Sequence, residues 1–218
     1  MSASEQPPGP PSEGPPSPPT GAQQFDLPSP VDYPARVEID YPSELNRWLP
    51  LVKWLLVIPH LFALCFVGIG AFFVAIFAFF AVLFTGRWPR GAFDYMEGTF
   101  RWAYRVVVYM HLMVDAYPPF SMADDPNHPV RLHIDYPEHI DNWRPLVQWL
   151  LAIPYLIVAG VLYWLTGLLS IIAFFTILFT KQIPRGIFDL MVPGLVWNLR
   201  GNSYTYFLTD RYPPFTWE

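Results

Sequence analysis

One stretch of this chain occurs twice, 95 residues apart, and whatever the chain folds into must accommodate both copies. Residues 36–59 read RVEIDYPSELNRWLPLVKWLLVIP and residues 131–154 read RLHIDYPEHIDNWRPLVQWLLAIP. The match runs without a gap from Arg36–Phe120 onto Arg131–Phe215, with 36 of 85 aligned positions identical. Each copy holds the same parts in order: IDYP, a long apolar run, a PRG-F-D turn, an amphipathic stretch and a closing YPPF. A repeat this long implies two copies of one structural unit. The divisions expected are a tail over 1–34, repeat one over 35–120, a short polar linker over 121–130 and repeat two over 131–218.

The apolar runs constrain the unit most. No Asp, Glu, Lys or Arg occurs between Lys53 and Arg87, nor between Arg144 and Lys181. Eighteen or more uncharged apolar residues argue for membrane insertion. Charged residues are only 14% of the chain against about 25% in soluble domains, which points the same way. Yet Trp54–Thr85 as one straight helix would reach about 48 Å, beyond a hydrocarbon core of about 30 Å. Three arrangements answer this. A hairpin could turn near Gly68–Gly70 and near Gly160–Gly167. An interfacial helix could end at Pro59 or Pro154 and lead into one span, with the amphipathic stretch returning through the bundle. One span per copy would invert the second copy. Inversion would put the shared IDYP, PRG-F-D and YPPF parts on opposite sides. A return through lipid by 193–208 would carry Arg200, Asn198 and Asn202. The hairpin is therefore the expectation: a mainly α integral membrane protein, a tandem pseudo-twofold repeat of helical hairpin plus amphipathic helix.

Arg36–Pro42 and Arg131–Pro137 alternate polar and apolar residues, the pattern of half-buried strands that stop at proline. Short strands are unstable alone, so the two copies should pair or pack, both on one side of the membrane. That side carries every Lys and Arg and would be the cytoplasm. Trp48, Trp54, Trp88, Trp143 and Trp149 stand where an interfacial aromatic belt is expected.

After each run, Arg90–Asp94 and Arg185–Asp189 have the spacing of i,i+4 pairs. Arg101 and Arg105 continue the polar face begun by Asp94 and Glu97, the pattern of a helix lying among lipid headgroups. Candidate lipid or partner contacts are Arg90, Asp94, Arg101, Arg105, Arg185, Asp189 and Arg200. Ordinary interfacial anchoring and internal pairing account for the same residues more simply. His60, an ionisable group inside the apolar run, aligns with Tyr155; both are candidates for a site between the copies.

Residues 1–34 hold 11 of the 26 prolines and no Lys or Arg. This composition predicts a disordered tail with polyproline II character, a spacer or a ligand for a partner. The body is near charge balance, so no nucleic-acid surface is expected. No Walker, Rossmann, GxSxG or HExxH pattern occurs. His133 and His139 lie near Asp135 and Glu138 but align with Glu38 and Glu44, so no metal, cofactor or enzymatic activity is expected. Asp40 and Asp135 are read as strand-ending residues that hold a turn.

IDYP, WLLVIPHL, LFTGRWPRGAFDY, FRWAYRV and DAYPPF together resemble the domain of unknown function 4389 family, over 36–120 and again over 131–215. That family is known from actinobacterial membrane proteins, and the resemblance implies a bacterial plasma membrane and no reaction; the hairpin reading makes the protein multi-pass. The expected role is a non-enzymatic scaffold or accessory subunit of an envelope-associated complex, with lipid and a membrane protein as partners and a cytoplasmic tail. The alternative is a lipid-binding or small-molecule transport protein with its site between the repeats.

Overall fold

The two apolar runs fold into two unbroken helices, and the rest of the chain is arranged over them. In the computed structural model, which describes residues 33–216, these are α1 (Leu49–Thr85) and α3 (Arg144–Thr180). Each has 37 residues, about 55 Å at 1.5 Å per residue, and each continues through its internal proline, Pro59 or Pro154. The expected hairpins are absent, because Gly68, Gly70, Gly160 and Gly167 are all helical. Glycine lowers helix propensity by only about 1 kcal/mol, and a helix satisfies its own backbone in apolar surroundings where a turn does not. Gly68→Ala tests this directly. A Cβ there meets nothing within 4 Å. The substitution should therefore stabilise the protein by up to about 1 kcal/mol, read as a raised Tm in detergent. A lowered Tm would restore the turn.

Both long helices end on a left-handed residue. Gly86 has φ 67° and Lys181 φ 61°, and their N–H groups close onto Val82 and Ile177. A proline-started helix then turns back: α2 (Arg90–Met110) or α4 (Arg185–Thr205). The stripe facing inward along α1 includes Pro50, Lys53, Val57, His60, Ala78 and Val82. The same stripe recurs 95 residues on as Pro145, Gln148, Ala152, Tyr155, Ala173 and Ile177.

Strands β1 (Ala35–Ile39) and β2 (Val130–Ile134) pair antiparallel, as the alternation anticipated, though each is shorter than the expected segment. The register is Ala35 with Ile134, Val37 with Leu132 and Ile39 with Val130. The central pair, Val37 and Leu132, are equivalents under the 95-residue offset, so the pseudo-twofold axis passes between them. The strands are exchanged: α2 of the first copy packs on β2, and α4 of the second copy on β1. Apolar residues of the sheet and the helices share one core, among them Val130, Leu132, Ile134, Met96, Met191, Leu195 and Ala173.

The ordered body begins before the expected boundary at residue 35. Tyr33 is fully buried and its hydroxyl donates to the Arg211 carbonyl at 3.1 Å. The rest of the proline-rich segment lies outside the described residues.

Candidate functional site

The repeated motifs build a reciprocal clasp between the copies. The Tyr41 hydroxyl donates to the Ile183 carbonyl at 2.6 Å, and Tyr136 to the Trp88 carbonyl at 2.5 Å. Those carbonyls belong to the residues just before Pro184 and Pro89. The arginines just after these prolines lie over the same tyrosine rings, Arg185 at 4.4 Å from Tyr41 and Arg90 at 3.8 Å from Tyr136. Phe188 and Phe93 meet the rings edge-on at 5.1 and 5.0 Å. Each IDYP therefore reads the PRG-F turn of the other copy through an apolar ring, a hydroxyl and a cation–π contact. Asp40 and Asp135 do not hold turns. Asp135 takes Arg36 at 2.7 Å, and Asp40 receives a fork of two 2.8 Å bonds from Arg131.

Arg131 also reaches Glu38 at 3.2 Å. Its hydrogen bonds hold the Asp40 carboxyl below the usual carboxylate range, and the same bonds raise Arg131. Asp40 is half in water, so the energy is small. Its direction is definite. The contribution is complete above pH about 3.9, the ordinary Asp value, and is lost as pH falls through the lower folded value. Asp40→Asn should therefore flatten the acid limb of a plot of Tm against pH and leave its neutral plateau nearly unchanged. An unaltered acid limb would remove this role.

Of the five arginines in the candidate set, Arg101, Arg105 and Arg200 are buried, while Arg90 and Arg185 are exposed. Arg101 is buried. It donates to Leu132 and Met122 carbonyls at 3.1 and 2.9 Å and pairs with Glu97 at 2.8 Å. Arg105 is buried against Ala123 and Val130 carbonyls. Glu97 accepts from the Ile134 N–H and contacts His133. The polar face of α2 is thus the seat of β2 and the linker. Arg200 is buried in the second copy with its guanidinium over the Tyr33 ring. Arg90 and Arg185 are the clasp residues already described. Asp94 and Asp189 are exposed on the surface of α2 and α4, as are Arg90 and Arg185 themselves. Trp88 also leaves the expected belt: it is buried, with Nε1 donating to the Phe207 carbonyl at 2.7 Å.

His60 and Tyr155 occupy matching aromatic boxes, one in each copy rather than a shared site. His60 stacks on Phe120 at 3.8 Å, and its Nδ1 accepts from Trp102 Nε1 at 3.2 Å. Tyr155 stacks on Trp197 at 5.0 Å with Phe215 at 5.2 Å. The YPPF segments fold back over the long helices to close these boxes, since consecutive prolines prevent α2 or α4 from continuing. Beside the first box Lys53, only 1% exposed, pairs with Asp115 at 2.8 Å and donates to the Val114 carbonyl at 2.7 Å. Its counterpart Gln148 donates to the Thr209 and Tyr204 carbonyls at 2.6 and 2.7 Å.

A cleft of about 380 Å³ lies between the copies, lined by Gly68, Phe72, Tyr104, Tyr163, Asn198 and Asn202 among others. It holds no charged side chain. Tyr104 donates to Asn198 at 3.0 Å, and Asn202 donates to the same amide oxygen at 2.9 Å. Sequence reasoning missed this cleft, the tyrosine clasp and the Lys53 seat. The recurrence of IDYP and PRG-F was the available signal for the clasp.

The remaining surface of α1 and α3 is apolar and open. Phe62, Phe66, Phe73, Phe77 and Phe84 project from α1; Ile157, Trp164, Ile171, Phe175 and Phe179 project from α3. Phe84 and Phe179 are each 74% exposed. Both helices are long and apolar enough to cross a membrane.

Two lengths of the chain, 48–122 and 142–216, match the family model described as a domain of unknown function, DUF4389. The protein belongs to that family and carries two tandem copies of its domain. The matched lengths begin at the long helices and leave out the exchanged strands. No curated protein and no solved structure matches the chain.

Proposed function

We propose that this is a non-enzymatic membrane-embedded protein that acts as a scaffold or accessory subunit. The exposed apolar surface of α1 and α3 carries the reading. It presents rows of Phe, Ile, Leu and Trp with no charged residue between Lys53 and Arg87 or between Arg144 and Lys181. Contiguous apolar patches of this extent mark membrane or protein contact. Trp48, Trp54, Trp143 and Trp149 remain exposed, as anchors at a bilayer interface would be. On this reading the charged sheet faces the cytoplasm of a bacterial cell and, with the proline-rich segment, offers the surface for a partner. Pull-down of the full chain in mild detergent should recover a stoichiometric membrane-protein partner. Recovery of monomer alone would count heavily against a scaffold.

The uncharged cleft between the copies favours a second reading, a site for a neutral lipid. An aliphatic chain would lie along Phe72 and Tyr163, and a hydroxyl or ester would meet the Asn198 and Asn202 amides. Native mass spectrometry that finds no co-purifying lipid would sink it.

A further inference from the structure

The way the long helices are tied down bears on how they meet the bilayer. The start of α1 and the end of α3 are joined: the Leu45 N–H donates to the Lys181 carbonyl at 2.8 Å, and Lys181 pairs with Glu44 at 3.1 Å. The end of α1 and the start of α3 are joined in the same way. The Ile140 N–H donates to the Gly86 carbonyl at 2.8 Å, and Asn142 Nδ2 to the Leu83 carbonyl at 2.9 Å. These two junctions flank one sheet, with the Tyr41 and Tyr136 clasps at its two ends. All four ends of the long helices therefore attach to one layer.

That layer must stay in water. Along its open face run Arg36 with Asp135, Arg131 with Asp40 and Glu38, and His133; Arg131 is about a third exposed and the others more. Charged groups in hydrocarbon cost several kcal/mol each.

The helices also lie along the sheet. Glu97, Arg101 and Arg105 contact Ile134, Leu132 and Val130 in turn. Four helix residues rise about 6 Å and two strand residues about 6.6 Å. The match means that α2 runs alongside β2. In turn α1 meets α2 through Lys53 with Tyr109, His60 with Trp102 and Val67 with Tyr95. The steps are seven residues on both helices, so their axes are nearly aligned. A twofold relating two antiparallel strands through a directly opposed pair stands normal to their sheet, and with the sheet in water it is the bilayer normal. The long helices then lie across that normal. If instead they crossed a core of about 30 Å, a straight 55 Å helix would tilt by about 57°, beyond the 0–40° range of spanning helices.

We propose that the protein enters the bilayer from one side only. Both ends of α1 and of α3 return to the same water-facing surface, and their apolar rows contact the acyl chains from that side. The inference rests on membrane embedding, and two measurements separate them. Flotation of the full chain with phosphatidylcholine–phosphatidylglycerol vesicles tests embedding alone; a chain that stays at the bottom of the gradient overturns both. With Cys65→Ser as background, Ser43→Cys and Arg87→Cys place a thiol at either end of α1. A membrane-impermeant maleimide should label the two from the same face, within about twofold of each other, before and after permeabilisation. Labelling from opposite faces in a protein that floats overturns one-sided entry and leaves embedding intact. Fluorophores at Phe62→Cys, Phe73→Cys and Phe84→Cys, with quenchers at graded depths in the lipid, give the second reading. A steady passage from one surface through the centre to the other would overturn the proposal. Depths confined to one half, or returning to the surface where they began, support it.

Discussion

Asp115→Ala is expected to destabilise the protein by roughly 3–5 kcal/mol, the cost of leaving a buried charge without its partner. Lys53 is almost wholly enclosed by α2 and the segment that follows it, and Asp115 is its only carboxylate among the described residues. The second copy shows the remedy. Gln148 stands in the same seat and satisfies two carbonyls without charge. Lys53→Gln should accordingly cost no more than about 1 kcal/mol, the net worth of an ordinary hydrogen bond. The double variant Lys53→Gln/Asp115→Ala should recover most of the loss. What it will not recover is the bond Asp115 accepts from the Asn46 N–H at 2.6 Å. Denaturation of the three variants in detergent gives the cycle. If the double variant is as unstable as Asp115→Ala alone, the charge was not the cause.

Gly194→Leu should be nearly as damaging. The approach of α4 to α3 there is so close that even a Cβ would meet the Leu162 carbonyl oxygen at 2.6 Å and would clash with Thr166 Oγ1. The obstacle is largely backbone, which cannot rotate away. Overpacking commonly costs about 1–3 kcal/mol and occasionally more, and a Leu here should sit at the upper end. The equivalent position of the first copy is Thr99, whose hydroxyl bonds back to the Tyr95 carbonyl at 2.8 Å. Thr99→Gly should therefore cost only about the helix propensity of Gly. Equal losses at the two positions would mean that α1–α2 and α3–α4 approach equally closely, which the structure denies.

The continuous helices show where local reading of this chain reaches its limit. The absence of charge from Lys53 to Arg87 was plain, and so were the glycines at 68 and 70. Whether those glycines turn the chain depends on what surrounds it. In apolar surroundings the backbone keeps its own hydrogen bonds and the helix runs on. Under the 95-residue offset Gly68 meets Tyr163 and Gly70 meets Leu165, so the glycines mark no shared turn. The arginines illustrate a second limit. Arg101 and Arg105 lie on a polar helical face, but a face open to headgroups and a face covered by a strand have the same periodicity. Only the exchange of β1 and β2 puts that face against Leu132 and Val130.

Much of the architecture was present in the residues alone. The offset of 95, the paired strands and the proline-started helices after the PRG turns all follow from local pattern and repetition. The partners did not. Tyr41 finds Ile183 and Arg185, Tyr136 finds Trp88 and Arg90, and Arg131 finds Asp40, each across the boundary between copies. Periodicity reports which side of an element is buried, because burial along a helix or strand repeats with its pitch. It does not report what covers that side, since the covering group comes from a distant part of the chain and is chosen by packing.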